Sequence, residues 1–208
     1  MVINKQVANV LKELEETAKR DGLPSIGPTK AKIISPIIKE YRPTKILEIG
    51  TLHGYSAILM ADLLDCERND NSCGELITIE IDKNLVDTAR RNIENAGLSK
   101  CVKVLCGNAL EVIPTLDGYK FDLVFLDAIK RDYLKYLRLI EDKNLIRQNG
   151  IVIADNVVLY EDEMRDYLEY VRNSGRYQSR TSETTLEFTK NVRDALEISI
   201  VKNQQSYY

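Results

Sequence analysis

The sequence predicts an α/β fold: a doubly wound, mostly parallel seven-stranded sheet with an antiparallel C-terminal strand and extra N-terminal helices. Three observations predict it. Short runs rich in isoleucine, leucine and valine alternate with longer segments whose apolar residues recur at spacings of three and four, the mark of βαβ units. Runs such as Leu123, Val124, Phe125 and Leu126 are apolar without a break, as strands buried on both faces are. The last two runs stand too close together for a crossover helix, so at least one is antiparallel.

The elements follow in order. Residues 4–20 combine helical periodicity with charges throughout and give a first helix. A second runs from Pro28, a residue suited to a first helical position, to about Tyr41. Strands are expected over Lys45–Ile49, 76–81, Val102–Cys106, Phe121–Leu126 and 151–154. Leu85, Val86, Ala89, Ile93 and Ala96 share one helical face, with Asp82 to cap its start and Gly97 its end. A helix near 161–172 and two closing strand runs, 184–188 and 195–201, complete the chain. No repeat, low-complexity tract or Pro/Gly-rich linker divides it, so residues 1–208 read as one domain.

Composition narrows the function. A chain of 208 residues buries a sizeable core without disulfides or a structural metal. A net charge of −3 and a pI near 5.4 disfavour nucleic acid as a partner, because phosphate neutralisation needs a basic face. No run reaches the ~20 apolar residues of a membrane span, and no apolar leader opens the chain, so the expected location is cytoplasmic. Cys66, Cys73, Cys101 and Cys106 form no CxxC pair, and the single histidine, His53, cannot complete a zinc set with them. Cys101 and Cys106 are expected as core or near-core thiols. Cys66 and Cys73 flank a polar loop, where a bridge stays open against a reduced default.

Open α/β sheets bind ligands beyond the carboxyl ends of their strands. The first strand ends in a turn bracketed by Gly50 and Gly54, which lead into a helix near Tyr55. Glycines there let the backbone approach a ligand, and the helix start offers free N–H groups. The spacing is G-x-x-x-G, not the dinucleotide G-x-G-x-x-G, which argues against a nicotinamide enzyme. An ordinary strand-to-helix turn would look the same. The second strand ends with Glu80, an acid placed to accept ribose hydroxyls, while Asp82 reads as the next helix cap. The fourth and fifth strands end in Asp127 and in Asp155 with Asn156. If those strands are neighbours, three oxygen donors meet, a set that suits Mg²⁺. Lys130 follows Asp127 by one helical turn, and a lysine beside a divalent cation has a reason to act as a base. Taken singly, each of these residues also fits a helix cap or a solvated charge.

These residues sit within longer stretches that resemble the cation-dependent O-methyltransferases that use S-adenosylmethionine, most of all the catechol O-methyltransferase branch. The stretches are GPTKAKIISPIIKEYRPTKILEIGTLHGYSAI, LITIEID, FDLVFLDAIKRDYL, LIRQNGIVIADNV and LEFTKNVRDALEISIVK, spread over about residues 27 to 202. The resemblance implies a Rossmann-like class I methyltransferase sheet. It implies that Gly50, Tyr55 and Ser56 hold the methionine part of the cofactor, with Glu48 beneath the turn and the Ile26 backbone alongside. Glu80, followed by Ile81, would hold the ribose, and the segment 107–110, with Asn108 and Ala109, would run along the adenine. Asp127, Asp155 and Asn156 would ligate Mg²⁺, with Asp127 also beside the cofactor. Lys130 would be the catalytic base. Glu187 would bind the substrate hydroxyl that is not methylated, and Lys130 and Asn156 would also touch the substrate.

The expected reaction is methyl transfer to a hydroxyl of a small vicinal dihydroxy aromatic. A tRNA hydroxyuridine acceptor is the alternative. Monomer and homodimer both stay open. The chain departs from the pattern in having no tryptophan. Ile129 stands where an aromatic wall is expected, Ala128 replaces a larger residue beside adenine, and Gly22, Leu23 and Pro24 occupy the other gate. The loop 65–74 is long for this branch. His53 is read as a turn residue without a role, and the terminal QQSYY as a frayed tail.

Overall fold

The structure, a computed structural model, describes residues 4–64, 74–189 and 191–203. Among these residues seven strands form one sheet: β1 (Lys45–Ile49), β2 (Glu75–Glu80), β3 (Val102–Cys106), β4 (Phe121–Leu126), β5 (Ile146–Ala154), β6 (Tyr177–Thr185) and β7 (Arg193–Val201). Their order is β3-β2-β1-β4-β5-β7-β6. The first five pair in parallel, and β7 lies antiparallel between β5 and β6. The expected sheet is therefore present, antiparallel strand included.

Among the described residues seven helices pack on it: α1 (Lys5–Asp21), α2 (Pro28–Tyr41), α3 (Tyr55–Asp62), α4 (Lys83–Asn95), α5 (Ala109–Val112), α6 (Tyr133–Asp142) and α7 (Arg165–Asn173). Two cores result, one on each face. Residues of α1 to α4 pack on Ile46, Leu123, Phe125, Ile151 and Ile153. Residues of α5 to α7 pack on Leu47, Ile49, Val124, Leu126, Val152 and Ala154. Among the buried residues of β1 one is not apolar. Glu48 shares the α3 side with Ile46 and is fully buried. Asp82 caps α4 as expected, accepting from the Asn84 and Leu85 amides, with Gly97 left-handed after its end.

The closing hairpin differs from the expectation. A strand was expected over 184–188, yet β6 begins at Tyr177 and ends at Thr185. The run Tyr177 to Thr185 is polar because β6 is an edge strand with one wet side, so hydrophobicity alone undercalls it. Glu187 and Phe188 lie in the turn instead, with Phe188 in the left-handed region at φ 58°. The fifth strand is likewise longer than its apolar part and begins at Ile146.

Cys101 is not the expected thiol: it is half-buried and disulfide-bonded. Cys106 is a free thiol but exposed, so it is not a core residue either. It closes β3, where the strand has left the core. Cys66 and Cys73, whose pairing stayed open against a reduced default, lie outside the described residues with most of the 65–74 loop and the terminal tail. Among the described residues no helix is long and apolar enough to cross a membrane.

Candidate active site

Strand register assembles the site. Ile49 pairs with Ile79 on one side and with Leu126 on the other, and Leu126 pairs with Ala154. Gly50, Glu80, Asp127 and Asp155 each follow one of these residues. Four residues far apart in sequence thus stand in one row at the carboxyl edge. A cavity of about 620 Å³ opens over it, lined among others by Gly50, Ser56, Glu80, Asn108, Asp127 and Lys130. Ile26, Ile81, Ala109, Ala128, Ile129 and Asn156 also face it. Four expected residues do not, one of them Glu48, fully buried beneath the glycine turn. Tyr55 is turned into the core, with its hydroxyl donating to Glu15 at 2.7 Å. Asp155 is 2 % exposed behind the wall, and Glu187 is 7 % exposed in the β6–β7 turn.

The β1 end depends on glycine. Gly50 has φ 100°, and a Cβ there would stand 2.0 Å from the Asp127 carbonyl oxygen. The following turn is fastened by Glu80. Its Oε2 accepts from the Thr51 and Leu52 amides at 3.2 and 2.9 Å, and its Oε1 from the Asp82 amide at 3.0 Å. The expected ribose acid is therefore also the clamp of the glycine turn, and Leu52 can hold its positive φ of 49°. His53 uses its carbonyl to accept from Asn92 at 2.9 Å. Beneath the turn, both oxygens of Glu48 are buried without a hydrogen-bond partner. Burial pushes this carboxyl up to about 8, against the pull of the nearby Ser56 and Thr78 hydroxyls.

Charge orders the β4–β5 end. Lys130 Nζ donates to Asp127 Oδ1 at 2.9 Å and to the Tyr133 hydroxyl at 2.8 Å, and the Tyr160 ring centroid lies 6.0 Å away. Tyr133 in turn donates to the Leu126 carbonyl at 2.9 Å. Behind the wall Lys30, 1 % exposed, bridges Asp155 Oδ1 at 2.5 Å and Asp194 Oδ2 at 2.8 Å. Asp194 Oδ2 also accepts from Asn156 Nδ2 at 2.8 Å, and the Lys30 amide donates to Glu187 Oε1 at 2.8 Å. Burial and the charge of Asp127 push the Asp155 carboxyl up, while Lys30 and Lys130 pull it down. Burial would lower the Lys30 ammonium, but its two carboxylates outweigh it and hold it up. Asp194 is held down by Lys30 and Asn156 despite its burial.

Sequence reading missed Lys30, Asp194 and Tyr133. A signal for Lys30 existed. It lies one turn before Ile34 and two before Ile38 on the buried face of α2, where a lysine has no place without a counter-charge.

Two cofactor questions follow. The left-handed glycine cradle and an orphaned buried carboxylate below it suit a cationic nucleoside such as S-adenosylmethionine. Asp127, Asp155 and Asn156 offer hard oxygen donors on adjacent strands, a chemistry that suits a hard divalent cation. Among the described residues no three His, Cys, Asp or Glu side chains gather as a metal set.

Comparison with known proteins agrees with this architecture. The family model described as O-methyltransferase matches residues 2–199. Catechol O-methyltransferase B of Danio rerio is 36 % identical over 185 residues, 87 % of this chain and 67 % of that protein. The catechol O-methyltransferase of Sus scrofa is 34 % identical, covering 87 % of this chain and 95 % of its own. The bovine protein of the same name is 35 % identical, and the chain spans 63 % of its length. Among solved structures, the Bacillus cereus O-methyltransferase in complex with S-adenosylhomocysteine superimposes with a TM-score of 0.79 at 27 % identity, over 97 % of this chain and 93 % of that one.

Proposed function

Because the chain belongs to the O-methyltransferase family and is an S-adenosylmethionine-dependent enzyme of that kind, we propose that it methylates one hydroxyl of a small vicinal dihydroxy aromatic, a catechol-like acceptor, with the help of a divalent cation, Mg²⁺. The observation that carries the reading is the meeting of Asp127, Lys130 and Asn156 in the wall of the cavity that Gly50, Ser56 and Glu80 also line. Catechol enzymes among the relatives support the acceptor class.

In this reading Gly50 and Ser56 hold the methionine part of the cofactor, Glu80 the ribose, and Ile81, Asn108 and Ala109 the base. Asp127, Asp155 and Asn156 hold the cation. When bound, S-adenosylmethionine supplies an electrophilic methyl group and the cation makes a phenolic hydroxyl easier to deprotonate. The chain does the rest. Lys130, in its neutral form, takes the proton of that hydroxyl at Nζ, and Tyr133 and Asp127 fix where Nζ stands. Glu187 accepts from the second hydroxyl and sets which oxygen faces the methyl group. Alignment of this kind is worth about 7–11 kcal/mol in well-oriented reactions. No covalent enzyme intermediate is needed.

Incubation with labelled S-adenosylmethionine and a catechol panel, with and without EDTA, tests the proposal. Transfer that Mg²⁺ restores after chelation supports it. Transfer insensitive both to EDTA and to Lys130→Ala would sink it.

A further inference from the structure

A fully buried lysine is rare, and one that touches two carboxylates while its backbone holds a third is rarer. We infer that Lys30 is a positioning residue for the cation: it fixes the Asp155 carboxylate in its ligating orientation and sets the charge of the site. The inference rests on the cation-dependent reading above.

Orientation comes first. Asp155 Oδ1 takes both the Lys30 ammonium and the Asn156 amide, the latter at 2.7 Å. Two donors on Oδ1 restrain the carboxylate and leave Oδ2 as the oxygen to meet a cation. Lys30 also pins Asp194 Oδ2, which accepts from Asn156 Nδ2 and so turns the Asn156 oxygen the other way. Two of the three cation donors therefore take their direction from one ammonium. The same residue's amide holds Glu187 Oε1, so α2 couples the donors to the acceptor-binding acid across a sequence separation of 157. Gly27 makes the close seating possible, because a Cβ there would stand 3.0 Å from Glu187 Cδ and from the Phe188 ring.

Charge comes second. Asp155 and Asp194 contact the Lys30 ammonium, Asp127 contacts Lys130, and Glu187 contacts the Lys30 main-chain amide, so acids outnumber lysines at the site. Without Lys30 the cluster would be more negative, and simple attraction would then bind a cation more tightly. A positioning role predicts the reverse, and the opposite signs make the inference decidable.

The experiment measures Mn²⁺ affinity by electron paramagnetic resonance on the S-adenosylhomocysteine-saturated protein, wild type against Lys30→Met. Supporting residues around metal ligands are typically worth about 10–100-fold in affinity. The expected result is Mn²⁺ binding at least about tenfold weaker in the variant, with S-adenosylhomocysteine affinity within about twofold. An unchanged or tighter Mn²⁺ constant overturns the inference. Absence of Mn²⁺ binding to the wild type overturns the cation-dependent reading and the inference with it. Lys30→Met leaves two buried carboxylates unpaired, so the double variant Lys30→Met/Asp194→Asn, which leaves the net charge of the site unchanged, serves as a second variant. Mn²⁺ binding at least about tenfold weaker there supports the positioning role, and a wild-type constant counts against it.

Discussion

At the carboxyl ends of β1 and β2 the ligand surface is shaped by backbone, whereas at the ends of β4 and β5 it is shaped by side-chain charge. On the first side Gly50 lets two strand ends touch, and Glu80 spends its carboxylate on three main-chain amides. On the second side the loops are held by Lys30 and Lys130 against four acids. A surface made of amides offers a fixed field and tolerates little change of shape. A surface made of ion pairs keeps its shape only while its charges balance. The cofactor half and the cation half should therefore fail differently.

Gly50→Ala should have the largest effect. The new Cβ would meet the Asp127 carbonyl oxygen at 2.0 Å, and φ 100° disfavours any side chain. Overpacking of this sort typically costs about 1–3 kcal/mol or more, and here it separates the two halves of the row. Calorimetry should find S-adenosylhomocysteine binding lost and the melting temperature lowered. Normal binding in the variant would show that the cradle is not built on Gly50.

Lys130→Ala should do the opposite. It removes a side chain from the charged half and leaves the glycine turn alone. A positioned base is typically worth 10²- to 10⁴-fold, so kcat should fall by about that factor while cofactor affinity stays within about threefold. A loss confined to cofactor binding would break the division between the halves.

Glu48→Gln sharpens the comparison, because among the described residues both oxygens of Glu48 are buried on the cofactor side without a hydrogen-bond partner. Its folded value of about 8 lies above the ordinary 4.5. The protonated form favours the native state, so its stabilising contribution is complete below about 4.5 and is lost as pH rises towards 8. Urea unfolding across that range should show a downward slope in the wild type that Glu48→Gln flattens. Equal slopes would mean that the carboxyl is paired in solution.

How much of this was legible follows the same line. The glycine turn, Glu80 and the strand-end acids stand out because each is a local break in an apolar run. Sheet order then brings them together by the ordinary rules of parallel connection. Lys30 and Asp194 were not legible in this way. They lie 164 residues apart, and only the antiparallel return of β7 beside β5 makes them neighbours. Nor did hydrophobic pattern reveal β6, whose edge position lets it be polar. Glu187 was found by resemblance alone, and its place in a turn rather than a strand went unseen.

Tyr55 gives the smallest predicted effect and the narrowest test. Resemblance places it on the methionine part of the cofactor, but its ring is 4 % exposed among the α1–α3 contacts and its hydroxyl donates to Glu15. Burial and Glu15 hold that phenol well above its ordinary range, so it acts as a donor and not as a charge. Tyr55→Phe deletes one hydrogen bond, worth about 0.5–1.5 kcal/mol. Chemical denaturation should register that loss. Cofactor affinity should change by less than about threefold, because what Tyr55 offers a ligand at the start of α3 is its main-chain amide, which the substitution keeps. A tenfold loss of S-adenosylhomocysteine affinity would mean that the ring turns toward the cavity on binding. The cofactor half would then owe part of its shape to a side chain after all.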